Sequence, residues 1–185
     1  MKMIFDKLNV DKSWTLFLDR DGVINKHLPD DYVKTWDEFT FNEGVFETLK
    51  MLAQRVGRII IVTNQQGIGK GLMTEDDLQQ IHIKMLHEIK VHGGRIDAVF
   101  HAPHKVGEDV YGLRKPNIGM ALKAKQLFNE INFTKSIMVG DTASDMLFGK
   151  NAGMKTVFVN KTLVHQNLNY EVVDFEISAL CDLIK

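Results

Sequence analysis

Along most of this 185-residue chain, short continuous apolar runs alternate with longer stretches of helical period, and that alternation constrains the fold more than any other feature. It predicts a parallel sheet with helices on both faces, a Rossmann-like doubly wound α/β fold. The runs are Trp14 to Leu18, Arg58 to Thr63, Ala98 to His101, Ser136 to Val139 and Thr156 to Val159. Their β-branched content and continuous apolarity fit strands buried on both faces. Leu78, Ile81, Met85 and Ile89 recur at spacings of three and four, and Thr74, three residues ahead of Asp77, gives the start signal of a helix. Met120, Ala124, Leu127 and Phe128 mark a second helix after Pro116, and Met146 to Asn151 a third that Gly153 would close. These stripes read as core packing.

The length suits one domain over residues 1–185. Hydrophobic residues at 44% and charged residues at 25% are those of a soluble globular protein. Lys and Arg total 23 against 24 Asp and Glu, so there is no global positive field for nucleic acid or an anionic membrane, and any anion must be held by local groups. The single cysteine, Cys181, rules out an internal disulfide framework and reads as a buried tail residue. Met1 to Lys7 shows no signal-peptide pattern and no run reaches the length of a membrane span, which makes the cytoplasm the default location. Residues 20 to 43 carry Pro29, Tyr32, Trp36, Phe39 and Phe41, as a small flap or hairpin beside a site would. Residues 161 to 176 form a weakly patterned tail before an expected terminal helix.

In an open parallel sheet the loops at the carboxyl ends of the strands converge on one crevice. After the first run comes Asp19-Arg20-Asp21-Gly22, after the second Thr63-Asn64-Gln65, and after the fourth Gly140-Asp141-Thr142-Ala143-Ser144-Asp145. Four acids, a hydroxyl and an amide would gather there. Clustered carboxylates call for a cation, and an oxygen-only site suits Mg²⁺, with Asp19 and Asp141 as side-chain ligands. Such a site would orient a phosphate for attack by Asp19, while Asp21, two residues on, lies on the same side to protonate the leaving oxygen and then activate water. Taken alone, an Asp-x-Asp after a strand is more often a turn or helix cap. The coincidence of several loops favours the chemical reading.

Thr63 and Asn64 would offer a hydroxyl and an amide to phosphate oxygens, or form a plain turn. Arg114-Lys115-Pro116 would bring a lysine to offset negative charge, or lie as a surface dibasic pair. Gln66-Gly67-Ile68-Gly69-Lys70-Gly71 meets neither the P-loop nor the dinucleotide pattern. It reads as a mobile glycine-rich loop from which Lys70 either reaches a second anionic group or has no role.

Asp19-Arg20-Asp21-Gly22-Val23-Ile24-Asn25, Val62-Thr63-Asn64-Gln65, Arg114-Lys115-Pro116 and Val139-Gly140-Asp141 through Asp145-Met146 together resemble the four motifs of the haloacid dehalogenase-like phosphatases, subfamily IIIA. The resemblance runs from about residue 14 to residue 160. It is to the branch holding D,D-heptose 1,7-bisphosphate phosphatases and histidinol-phosphatases. It implies Asp19 as nucleophile and metal ligand, Asp21 as acid/base with its backbone carbonyl on Mg²⁺, and Thr63 with Lys115 on the phosphate. It further implies Asp141 as third metal contact, Asp145 behind the metal or bound through water, and Asn64 and Arg114 at the substrate.

Two departures stand out. Members of the branch often hold a structural zinc through cysteines and a histidine just before Arg-Lys-Pro, but residues 101–113 contain His101 and His104 and no cysteine. Structural zinc is therefore not expected. Where the heptose enzymes usually show Ser-Gly and then Ala-Arg-Gly, this chain has Gln66 to Gly71, and Lys70 keeps a charge without the fork of arginine. The expected protein is a monomeric phosphatase of a small sugar phosphate, foremost D-glycero-D-manno-heptose 1,7-bisphosphate at its 7-phosphate, with an open site and no large cap. Histidinol phosphate, a polynucleotide 3′-phosphate and a non-catalytic binding module are the alternatives.

Overall fold

The five apolar runs become strands with ends shifted by at most one residue. In the computed structural model, which describes residues 4–29, 31–160 and 170–184, they are β1 (Thr15–Leu18), β2 (Arg58–Asn64), β3 (Ala98–Ala102), β4 (Ser136–Gly140) and β5 (Lys155–Val159). A sixth strand not read from the sequence, β6 (Phe175–Ile177), completes a sheet of order β3-β2-β1-β4-β5-β6 in which every neighbouring pair is parallel. The order reverses at β1, whose two neighbours leave it for opposite edges, so the crevice of a doubly wound sheet opens between β1 and β4. Leu18 pairs with Ile61 on one side and Val139 on the other. Asp19 therefore leaves the sheet level with Val62 and Gly140.

Side chains alternate across the pleat and supply two core layers. Leu16, Leu18, Ile59, Ile61, Ile137 and Val139 pack with Leu49 and Leu52 of α2 (Val45–Arg55) and with Leu78, Ile81, Met85 and Ile89 of α4 (Glu75–Val91). Phe17, Ile60, Val62 and Met138 face the other way, onto Met120, Ala121 and Ala124 of α5 (Gly119–Leu127) and Phe148 of α6 (Ala143–Asn151). Thr74 caps α4 as expected, accepting from the Asp77 amide at 3.1 Å. Helix α6 starts three residues earlier than its apolar pattern suggested, because Thr142 and Asp145 form a reciprocal capping box. Leu127, placed on the core stripe by spacing, ends α5 61% exposed. Edge strand β3 is half-buried along most of its length rather than covered on both faces.

Other expectations are corrected in detail. Gln66 to Gly69 is not an irregular loop but one helical turn, α3, seated closely on its neighbours: a Cβ at Gly69 would stand 2.7 Å from the Pro103 carbonyl oxygen, and one at Gly67 3.1 Å from the Tyr32 ring. The segment after β1 contains no paired strands among its described residues. It is a loop with two isolated bridges, Asp21 to Asn25 and Asn25 to Phe41, and a 3₁₀ turn at Trp36–Glu38. Its aromatics pack on one another, with Trp36 and Phe39 stacked at 5.1 Å. The Asn42 amide donates to the carbonyls of Gly22, Val23 and Asn25 and ties the loop back to the end of β1. The terminal helix is a 3₁₀ turn, Leu180–Leu183, and Cys181 is half-buried in it. A short N-terminal helix, α1 (Ile4–Leu8), was not read from the sequence. Residues 161–169 of the tail and the first three residues lie outside the described residues. Among the described residues no helix is long and apolar enough to cross a membrane.

Candidate active site

The carboxyl ends of β1, β2 and β4 deliver Asp19, Thr63 and Asp141 to a crevice of about 660 Å³, which Asp21, Asn64, Lys70, Arg114 and Lys115 also line. Lys115 is its electrostatic centre. Although almost fully buried, its ammonium finds three acceptors, the Val62 carbonyl at 2.8 Å, Asp19 Oδ1 at 2.9 Å and Asp145 Oδ1 at 2.6 Å. One hydrogen bond and two ion pairs engage the charge. Burial alone would depress its pKa, but Asp145 and Asp19 reverse that and push it up to about 12. Asn64 fixes the Lys115 backbone from both sides, accepting from its N–H at 2.9 Å and donating to its carbonyl at 3.2 Å. The amide expected to face a ligand is thus engaged in holding the lysine.

Asp19 Oδ1 also accepts from the Arg20 N–H at 2.7 Å. Burial raises the Asp19 pKa well above the ordinary carboxylate value; Asp145 raises it further, Lys115 opposes, and Asp141 and Asp21 add to the rise. A buried carboxylate with three acidic neighbours is poised to welcome a cation. Ligand atoms of Asp19, Asp141 and Asp145 lie within 4.8 Å of one another. Distance alone would admit all three, but Asp145 gives Oδ1 to Lys115 and Oδ2 to the Thr142 N–H and hydroxyl. That leaves Asp19 and Asp141 as the carboxylates that could hold a metal, and their all-oxygen donor set fits Mg²⁺.

The closeness of the acids depends on two glycines. A Cβ at Gly22, where φ is +85°, would fall 1.7 Å from Asp141 Oδ2, and one at Gly140 would fall 2.3 Å from Asp145 Cβ. Asp21 is held by three side chains: Arg20 Nη2 reaches both its oxygens at 2.9 Å, Asn25 donates at 2.8 Å and Gln65 at 2.8 Å. Burial works to raise its pKa, yet the Arg20 charge and these hydrogen bonds outweigh it and hold it below the usual range. Thr63 Oγ1 accepts from the same Gln65 amide at 2.9 Å. At the mouth, Lys70 donates to the Tyr32 hydroxyl at 3.0 Å, and Arg114 Nη1 reaches the His104 carbonyl at 3.4 Å.

Sequence reasoning gave no role to Arg20, Asn25, His27 or Gln65. Gln65 had a usable signal, since it sits two residues after Thr63, the spacing that shares a side of an extended segment. His27 had none; its Nδ1 stands 3.9 Å from Asp141 Oδ2 by virtue of the loop. The histidines of the 101–113 segment go to separate partners, His101 to Glu75 at 2.8 Å and His104 to Asp109 at 3.4 Å.

A parallel sheet of this order, with acids from β1 and β4 and a buried lysine at its switch point, is the architecture of the haloacid dehalogenase-like phosphatases. The sequence profile of the family described as polynucleotide kinase 3 phosphatase matches residues 11–177. The chain belongs to that family. It is 39% identical over 148 residues to a D-glycero-alpha-D-manno-heptose-1,7-bisphosphate 7-phosphatase of Campylobacter jejuni, covering 80% of this chain and 83% of the relative. It is 38% identical over 144 residues to the D-glycero-beta-D-manno-heptose-1,7-bisphosphate 7-phosphatase of Rhodopseudomonas palustris, covering 75% and 78%. Among solved structures, the D,D-heptose 1,7-bisphosphate phosphatase of B. bronchiseptica, crystallised with magnesium and phosphate, superposes with a TM-score of 0.81 at 30% identity, over 92% of this chain and 95% of that one.

Proposed function

We propose that this protein is a Mg²⁺-dependent phosphatase that removes the 7-phosphate of D-glycero-D-manno-heptose 1,7-bisphosphate through a phosphoryl-aspartate at Asp19. The observation that carries this reading is the triangle of Lys115, Asp19 and Asp145 beside Asp141 at the switch point, in a chain similar over most of its length to relatives named for that reaction. One Asp19 carboxylate oxygen attacks phosphorus, and the bond from phosphorus to the sugar oxygen breaks. The departing oxygen takes its proton from Asp21. Asp21 then removes a proton from water, which attacks the acyl phosphate and returns Asp19 as carboxylate with inorganic phosphate released. As Asp21 stands, ionised and ringed by donors, it is set for the second step; the charge of an arriving phosphate beside it would raise its affinity for the proton needed in the first.

Lys115 and Thr63 hold phosphate oxygens in this reading, and Lys70 and Arg114 serve the far end of the substrate from the mouth of the crevice. Asp19, Asp141 and the Asp21 carbonyl would hold Mg²⁺, with Asp145 behind them anchoring Lys115. The metal would shield the phosphate charge from the attacking carboxylate. Gly22→Ala should weaken Mg²⁺ activation by about 10- to 100-fold, the usual cost of disturbing a ligand from behind, because the added methyl displaces Asp141. The Mg²⁺ dependence of phosphate release, and of thermal stability, measures it.

The enzyme is taken as a cytoplasmic monomer of one domain, the last because one continuous sheet holds all six strands. The test is phosphate release with Mg²⁺ from both heptose bisphosphate anomers, histidinol phosphate, hexose phosphates and a 3′-phosphorylated oligonucleotide. The last belongs in the panel because of the family's description. The expected outcome is the highest kcat/KM on one heptose anomer. A higher value on the oligonucleotide would transfer the reading to nucleic-acid repair ends, and turnover of nothing would leave a binding module.

A further inference from the structure

Arg20 sits between the two catalytic aspartates in sequence, yet its side chain heads the large, completely buried ones among the described residues. Its guanidinium runs away from the crevice between Asp21 and the inner face of α4. Nε and Nη2 face Asp21, at 3.3 Å and 2.9 Å. Nη1 lies 3.2 Å from Nε2 of His82, itself buried on α4. A guanidinium has donors and no acceptor, so His82 Nε2 must receive this hydrogen bond and the ring must carry its proton on Nδ1. Burial, Arg20 and His101 keep the imidazole neutral, with a pKa down to about 3. His82 is therefore a fixed acceptor, absent from the crevice lining, that faces an arginine whose other edge holds Asp21.

We propose that His82 is a positioning residue for proton transfer, fixing Arg20 so that Asp21 keeps its oxygens aimed at the leaving group. The inference rests on Asp21 being the proton donor of the proposed reaction. Without the imidazole, Nη1 is left buried with no acceptor at that place. The guanidinium would then turn toward another acceptor and draw the Asp21 carboxylate with it. A displacement near 1 Å at a proton donor costs about 100-fold. Arg20 and Asp21 would still neutralise each other, so the loss falls on orientation and not on charge.

The readout is leaving-group dependence. Because kcat/KM covers only the steps through departure of the first product, it leaves out hydrolysis of the acyl phosphate, and comparing two leaving groups isolates protonation of the leaving oxygen. A sugar phosphate needs that proton, whereas p-nitrophenyl phosphate releases an oxygen stable as an anion. In His82→Leu, kcat/KM for the sugar phosphate should fall about 10- to 100-fold and that for the aryl ester less than about threefold. His82→Gln, whose amide oxygen can accept from Nη1, should recover most of the sugar activity; His82→Phe replaces the leucine variant if the latter does not fold. Equal losses on both substrates, or no loss on either, would overturn the inference. Asp21→Asn is the control for the reading beneath it. If that variant shows the selective loss and His82→Leu does not, His82 is only a core residue. If Asp21→Asn is itself unselective, the assignment of Asp21 as proton donor falls, and the role of His82 with it.

Discussion

Asp19→Asn should abolish phosphate release, by up to about 10⁶-fold as when other covalent catalysts lose their nucleophile, and at the same time make the metal-free protein harder to melt at neutral pH. The first effect follows because an amide does not displace at phosphorus. The second follows from linkage: a carboxyl whose folded pKa is raised favours the folded state below its unfolded value, and that advantage is lost as pH rises through the folded pKa. At neutral pH the Asp19 carboxyl therefore lowers the stability of the metal-free fold. Asparagine removes the charge and can still accept from Lys115 and the Arg20 amide. Thermal melts in EDTA beside a phosphate assay check both halves. A variant that is inactive and also less stable would show that the acidic cluster is not strained.

Lys115→Met should do the reverse to stability while also removing activity. It deletes the ammonium from between two buried carboxylates, and breaking a buried pair by removing one partner costs about 3–5 kcal/mol. For a domain of this size that corresponds to a midpoint lower by roughly 6–20 °C. With the fixed cation gone, Asp19, Asp141 and Asp145 should bind a mobile one more tightly. Mg²⁺ should then raise the midpoint of Lys115→Met by more than it raises that of the parent, by mass action on the folded state. An equal rise in both proteins would place the metal away from Lys115 and refute the shared cluster.

Much of this site was legible because strand ends are. Asp19, Thr63 and Asp141 each follow a run of apolar residues long enough to be recognised, and a parallel sheet allows only one end for its loops to meet. What could not be read was what lies behind them. Position 20 looks like an exposed basic residue in a turn, and its burial becomes apparent only once α4 brings His82 to it from 62 residues away. A faint signal existed in the histidine among Leu78, Ile81, Met85 and Ile89, a polar residue on a core stripe that had to find a partner. Strand β6 escaped because Phe175-Glu176-Ile177 is too short to show a pattern, and α1 because five residues give barely one turn. Helix α3 was hidden by its glycines, which report the close approach of Tyr32 to Gly67 and of the Pro103 carbonyl to Gly69, not an absence of structure.

The three bonds of Lys115 have a mechanical meaning as well. Its ammonium touches the carbonyl of Val62 in β2, the side chain beyond β1 and an acid in α6, so one atom spans both sides of the line where the strand order reverses. Along that line the chain connections diverge, and no loop crosses directly from β1 to β4. The lysine is a rivet through that seam, and any opening that would let the sheet part there must first dismantle the site.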